Sequence, residues 1–155
     1  MFTIDLQIAR PPGTVFAWLA RIEDAPRWYS AVQAVEPVGP GPTRLGSRFR
    51  FRRQLGPMPV QNEVEVAEFD PDRILTLRSV SGPTPFRYRY VLEPSASGTL
   101  LRLHGEISGD GLPGLLSIVG GFAEPFFRRG MEANLRTLKG LIEGNETLSV
   151  AQSRT

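Results

Sequence analysis

The feature that most constrains the fold is a series of short segments in which apolar and polar residues alternate, each bounded by Gly, Pro, Asp or Ser. In the first segment, FTIDLQI, every second residue from Phe2 to Ile8 is apolar. Such alternation predicts strands with one buried face. The later segments span residues 32–36, 46–54, 62–69, 74–80, 86–93 and 99–108. Because the turns between most of them are short, we expect an antiparallel meander of six to seven strands.

One long helix is predicted after the strands. Residues 115–143 carry apolar side chains at spacings of three and four, which is typical of an amphipathic helix. The stripe consists of Leu116, Val119, Ala123, Phe127, Met131, Leu135, Leu138 and Ile142. An antiparallel sheet with one apolar face needs a cover, and this helix can supply it. We therefore predict an α+β fold with one domain over residues 1–144 and a disordered tail over residues 145–155.

Two neighbouring segments carry opposite charges. Arginines occupy positions 44, 48, 50, 52 and 53, and acidic residues occupy positions 63, 65, 68, 70 and 72. We predict that Arg50 faces Glu65 and that Arg52 faces Glu63, with the charged rows on the solvated face. The same register sets Phe51 against Val64 and Phe49 against Val66 on the buried face. By the same parity Phe86, Tyr88 and Tyr90 point inward, as do Leu77 and Leu103.

The segment between the first two strands adds a more specific signal. Pro12 and Gly13 can open a short helix that carries Trp18, and Asp24 can cap a second one that carries Trp28 and Tyr29. With VFAWLARIEDAPRW here and FFRRGMEANLRTLKGLIEG near the end, the chain resembles the START-like or SRPBCC superfamily, in its polyketide cyclase/dehydrase-like branch. The resemblance covers about residues 2–143. It implies a helix-grip fold, with a curved antiparallel sheet around the C-terminal helix and two short helices after the first strand.

The resemblance also implies a cavity between the sheet and the helix that binds a hydrophobic small molecule. The candidate ligand-binding residues are Trp28, Phe49, Phe51, Val64, Leu77, Phe86, Tyr88, Tyr90, Leu103, Phe122 and Phe126. Each of these side chains could instead simply fill the core. Tyr88 and Tyr90 are the best polar candidates, because a buried phenol needs a hydrogen-bond partner. Gly120, Gly121 and Pro125 predict a kink, which could be a bend along the sheet or a gate with Phe122 and Phe126 at its mouth.

Several kinds of chemistry are disfavoured by the residues present. The chain has no cysteine, so thiol catalysis and Cys-based zinc sites are excluded. The one histidine, His104, is predicted to point outward, away from any cavity, and we expect no metal and no cofactor. Residues 109–114 match G-x-G-x-x-G, but no parallel strand follows them, so we interpret them as a loop. Lys139 is the one lysine among eighteen basic residues, and the net charge is only +2.

Three functions remain open. The first is binding of a hydrophobic small molecule, for which transport and sequestration are both open roles. The second is a polyketide cyclase/dehydratase-like reaction in which Tyr88, Tyr90 or Glu124 moves protons. The third is binding of a partner protein without a small ligand. We expect a cytoplasmic protein, a monomer or homodimer, that neither binds nucleic acid nor inserts into a membrane.

Overall fold

The computed structural model describes residues 1–108 and 124–152, of which residues 145–152 are described by their backbone alone. Strand β1 (Phe2–Ile8) is followed by helix α1 (Pro12–Ala20) and a 3-10 helix (Ile22–Arg27). Six further strands come next: β2 (Val32–Val38), β3 (Arg48–Leu55), β4 (Met58–Asp70), β5 (Ile74–Ser81), β6 (Phe86–Ser95) and β7 (Gly98–Ile107). Helix α2 (Glu124–Gln152) ends the described chain.

The seven strands form one antiparallel sheet in the order β1-β7-β6-β5-β4-β3-β2. Helix α2 covers one face of it and packs against β1, β7 and α1. Met131, Leu135, Leu138 and Ile142 are the buried part of its apolar stripe. The predicted α+β helix-grip architecture, with up to seven strands and two short helices after the first, is therefore confirmed.

The predicted register between β3 and β4 is wrong by two residues. Arg48 pairs with Glu65 and Arg50 with Glu63, while Phe49 pairs with Val64 and Phe51 with Asn62. A shift of two residues leaves every side chain on the same face, so the alternating pattern could not distinguish the two registers. The turn decides it: Leu55 pairs with Met58, which leaves only Gly56 and Pro57 in the loop, and Gly56 has φ 56°.

The outer face of the sheet carries ion pairs between neighbouring strands. Arg78 lies 3.1 Å from Glu65, and Arg87 and Arg89 lie 3.2 and 3.0 Å from Glu68. Alternation from Val66 would turn Glu68 inward, but a bulge between Val66 and Glu68 turns it outward. Each of these three arginines is therefore neutralised by a carboxylate at the surface.

Part of the predicted C-terminal region lies outside the described residues. This part includes Phe122, the start of the predicted helix, and Gly120 and Gly121 of the expected kink. Pro125 is described and occupies the first turn of α2, where proline is tolerated. The helix continues to Gln152, beyond the predicted end at Glu143, and the disordered tail stays a prediction. Within the described chain, no helix combines the length and hydropathy that crossing a membrane would need.

Candidate functional site

Strand β6 brings three aromatic side chains to the inner face of the sheet. Phe86, Tyr88 and Tyr90 alternate with Arg87 and Arg89, so the rings lie on the buried inner face of the sheet and the arginines on the outer face. All three rings are buried, and those of Phe86 and Tyr88 stack with their centroids 5.0 Å apart. The row forms the aromatic wall of a small pocket.

Tyr29 reaches this wall from the opposite side. It follows the 3-10 helix, and its hydroxyl shares a hydrogen bond of 3.3 Å with the hydroxyl of Tyr88. The aromatic ring of Trp28 lies beside it, with the centroids 5.8 Å apart. Tyr29 was not among the candidate site residues, because the sequence places it near the short helix without showing where its side chain points.

Arg53 is the most unusual member of the site. It belongs to the inward-pointing row of β3 with Phe49 and Phe51, and only 2% of its surface is exposed. Its Cζ lies 5.1 Å from the centroid of Phe86, over the ring. Arg50 and Arg52 lie on the solvated face, as predicted, whereas Arg53 has the opposite parity and lies inward. Its parity with Phe51 was the available signal.

The guanidinium of Arg53 is held by neutral oxygen atoms. Nε and Nη2 donate to Oδ1 of Asn62 over 3.0 and 2.7 Å. Nη2 also donates to the carbonyl of Pro83 over 3.0 Å and to the hydroxyl and carbonyl oxygens of Thr84. Asn62 is fully buried, and its Nδ2 donates to the carbonyls of Ser81 and Pro83. This amide thus fixes both Arg53 and the loop between β5 and β6.

The aromatic wall, Tyr29 and Arg53 surround an inner pocket of about 20 Å³, which has room for about one water molecule. Its lining consists of Leu19, Arg21, Ile22, Ala25, Trp28, Tyr29, Val32, Phe51, Arg53, Leu77, Phe86, Tyr88 and Tyr90. The aromatic side chains therefore fill most of the space between the sheet and the short helices.

A larger outer cavity, of about 340 Å³, lies between the β3–β4 hairpin and the N-terminal half of α2. Tyr29 and Arg53 line both spaces, so they stand at the junction between them. The other residues around the outer cavity are Ser30, Ala31, Gln54, Leu55, Gly56, Phe126, Phe127, Gly130, Met131 and Asn134. The walls are mainly apolar, and the polar groups concentrate at the junction and on Asn134.

A comparison with known families identifies the group to which this arrangement belongs. Residues 1–143 match the family described as "Polyketide cyclase / dehydrase and lipid transport". The chain belongs to this family. No curated protein matches the sequence.

Solved structures with the same fold include three from bacteria. The Zhui aromatase/cyclase from a Streptomyces species is 15% identical with a TM-score of 0.75, over 92% of each chain. A protein from Thermus thermophilus is 19% identical with a TM-score of 0.72, over 92% of this chain and 97% of the other. A START superfamily protein from Mycobacterium smegmatis is 14% identical with a TM-score of 0.69, over the same shares. At these identities the likeness shows the fold alone, and it is the family match over residues 1–143 that confirms the polyketide cyclase/dehydrase-like classification.

The structure brings most of the predicted ligand-binding residues together, but not all of them. Those at the inner pocket are Trp28, Phe51, Leu77, Phe86, Tyr88 and Tyr90. Phe126 lies at the outer cavity, where 75% of its surface is exposed. Phe49, Val64 and Leu103 are buried and line neither space, so they pack the core of this polyketide cyclase/lipid transport family member.

Glu124, the third candidate for acid–base chemistry, lies away from both spaces, and so does His104. Glu124 is at the surface, 3.0 Å from the amino group of Met1, and lines neither space. His104 is on the outer face of β7, with Nδ1 3.3 Å from Oγ1 of Thr3, as predicted from its parity. Among the described side chains, no three His, Asp or Glu residues group closely enough to hold a metal ion.

Burial sets the charge of the polar groups in the site. It raises the pKa of Tyr29, and it raises the pKa of Tyr88 and Tyr90 well above the ordinary value. Burial also lowers the pKa of Arg53. The ordinary pKa of a guanidinium is so high, however, that the group remains charged. At neutral pH the site therefore presents neutral phenols, which can donate hydrogen bonds, beside the buried positive charge of Arg53.

Proposed function

We propose that this protein binds a hydrophobic small molecule in the outer cavity, with the oxygen-bearing end of the ligand at Tyr29 and Arg53. The observation that carries the proposal is the outer cavity itself: its volume of about 340 Å³ is within the range of small-molecule sites. Such sites combine apolar walls with a few polar groups that fix orientation, and this one has that composition.

The size of the inner pocket supports a location of the ligand in the outer cavity. A space of about 20 Å³ cannot admit an aromatic ring without movement of the surrounding side chains. The body of the ligand therefore occupies the outer cavity, against Phe126, Phe127 and Leu55. The polar end reaches the junction between the two spaces.

Native mass spectrometry of the purified protein, followed by denaturing extraction, tests the proposal. We expect a lipophilic compound in stoichiometric amount, or, for an empty protein, uptake of the neutral fluorescent probe N-phenyl-1-naphthylamine. Two glycines of α2 provide matched variants, since a Cβ at Gly130 or Gly140 meets no neighbouring atom. Gly130→Trp fills the outer cavity and should abolish uptake, while Gly140→Trp, away from the cavity, should preserve it.

Absence of any bound compound together with failure to take up the probe would overturn small-molecule binding. The outer cavity would then be an unoccupied space in the interior, and binding of a partner protein would become the leading hypothesis. Retention of the probe by the Gly130→Trp variant would mean that the ligand binds elsewhere on the protein.

A second candidate function is a cyclase-like reaction. The observation in its favour is the pair of hydroxyls of Tyr29 and Tyr88, 3.3 Å apart, next to a buried guanidinium. Neutral phenols and a cation can stabilise an oxygen that gains negative charge, and a cavity that folds a reactive chain needs few other groups. Once a ligand is known, Tyr88→Phe separates the two functions: an enzyme loses kcat with little change in affinity, whereas a carrier shows only altered affinity.

The other expectations are part of the proposal. The ion pairs on the outer face leave little unneutralised positive charge for a nucleic acid, so we retain the prediction that none is bound. We also retain the cytoplasmic location and the absence of a cofactor.

A further inference from the structure

Arg53 carries a buried charge that nothing in the described chain neutralises. Its hydrogen-bond acceptors are an amide oxygen, two backbone carbonyls and a hydroxyl, all of them uncharged. Among residues 1–108 and 124–144, no Asp or Glu forms an ion pair with it. Burial of a charge is costly unless an opposite charge compensates it. The phenols of Tyr29 and Tyr88 cannot do so at neutral pH, because burial raises their pKa.

The hydrogen bonds of Arg53 leave one side of the guanidinium available. Every bond described for it comes from Nε or Nη2, which donate to Asn62 and to the loop that contains Pro83 and Thr84. Nη1 donates none within the described residues. Because Arg53 lines both the inner pocket and the outer cavity, this nitrogen can donate to a molecule bound at their junction.

A second donor lies on the opposite wall of the outer cavity. Only 5% of the surface of Asn134, on α2, is exposed, and its Oδ1 accepts a hydrogen bond from the backbone nitrogen of Ser30 over 3.1 Å. Its Nδ2 lies 3.8 Å from the sulfur of Met131. Since a thioether is a weak acceptor, the donor capacity of this amide is largely unused.

We infer that the ligand carries a carboxylate. This group binds in the outer cavity, between Arg53 and Asn134, while the apolar body of the ligand lies along Phe126 and Phe127. A carboxylate fits because it is small and planar, and its two oxygens match two donors, one of which is the edge of a guanidinium. It also supplies the negative charge that Arg53 lacks. This inference rests on the proposed function and adds the chemical class of the ligand.

A matched pair of aromatic probes tests it. 2-Naphthoate and 2-naphthamide have nearly the same shape, but only the first is charged at pH 7. Titrations followed by calorimetry should show that the wild-type protein binds naphthoate at least tenfold more tightly than naphthamide. Arg53→Met should weaken the binding of naphthoate at least tenfold and that of naphthamide much less, so that the preference is lost. Asn134→Ala should weaken naphthoate binding about fivefold.

Arg52→Met is the control, since Arg52 is the exposed neighbour on the outer face of the same strand, and the preference should remain. Equal affinities in the wild-type protein, or a preference that survives in Arg53→Met, would overturn the carboxylate assignment while leaving small-molecule binding intact. Failure of both probes to bind would contradict the proposed function as well. If Arg53→Met does not fold, the wild-type ratio and the Asn134→Ala titration still decide the question.

Discussion

Two nitrogens of Arg53, Nε and Nη2, donate to the same oxygen of Asn62, over 3.0 and 2.7 Å. Both residues are buried on the inner face of the sheet, on neighbouring strands. The other end of the same amide donates to the carbonyls of Ser81 and Pro83. One uncharged side chain therefore orients the cation of the site and ties it to the loop between β5 and β6.

Asn62→Ala should lower the free energy of unfolding by about 2–3 kcal/mol, because it leaves a buried guanidinium, and the partly buried carbonyls of Ser81 and Pro83, with fewer partners. Urea denaturation at neutral pH measures the change. Gln61→Ala is the control at the exposed neighbouring position and should change stability by less than about 0.5 kcal/mol. If the two variants were equally stable, the loop carbonyls alone would suffice to hold Arg53.

Gly82 should tolerate no side chain, because the backbone around Asn62 lies too close. A Cβ there would be 2.3 Å from the carbonyl oxygen of Gln61, and Gly82 has φ 98°. We expect Gly82→Ala to destabilise the protein by more than about 2 kcal/mol. Gly140→Ala, in an open position of α2, should instead stabilise it by about 0.5–1 kcal/mol.

Thermal or urea denaturation of these two glycine variants should thus give shifts of opposite sign. A neutral effect of Gly82→Ala would mean that the loop between β5 and β6 can move away from β4. The loop would then not fix the position of Arg53.

The inward and outward faces of the sheet were predictable from the sequence, since alternation in β6 and β3 separates Tyr88 from Arg87 and Phe51 from Arg52. The register between β3 and β4 was not, because it depends on how few residues the turn at Gly56 uses. The inward position of Arg53 follows from its parity with Phe51, but its acceptors in the loop between β5 and β6 are about thirty residues away in sequence and meet it only in the folded sheet. The volume of a cavity depends on the distance between a sheet and a helix, so the sequence could not show that Phe49 packs the core while Phe126 lines the outer cavity.

The tyrosines should ionise only when the protein unfolds at alkaline pH. All three tyrosines of the chain, Tyr29, Tyr88 and Tyr90, line the inner pocket, and burial raises each pKa above its ordinary value. The unfolded chain releases these protons near pH 10, whereas the folded chain retains them. The stabilisation is therefore complete below pH 10 and decreases as pH rises, by up to about 1.4 kcal/mol per pH unit for each tyrosine.

Absorbance at 295 nm against pH measures this ionisation, with circular dichroism recorded on the same samples. We expect little tyrosinate near pH 10 in the folded protein, and then a rise that coincides with loss of structure. The chain in denaturant is the control and should titrate near pH 10. A phenol that ionises reversibly near pH 10 while the fold persists would show that solvent enters the inner pocket.

Phe126→Ala should weaken ligand binding without changing stability. Because 75% of Phe126 is exposed, its removal should alter the free energy of unfolding by less than about 0.5 kcal/mol. A ligand in the outer cavity would bury this ring, so the affinity for N-phenyl-1-naphthylamine should fall about threefold to tenfold in fluorescence titrations. Leu45→Ala is the control. It removes an apolar side chain of similar exposure that does not line the outer cavity, so it should leave the affinity unchanged. Equal affinity in both variants would place the ligand body away from the N-terminal half of α2.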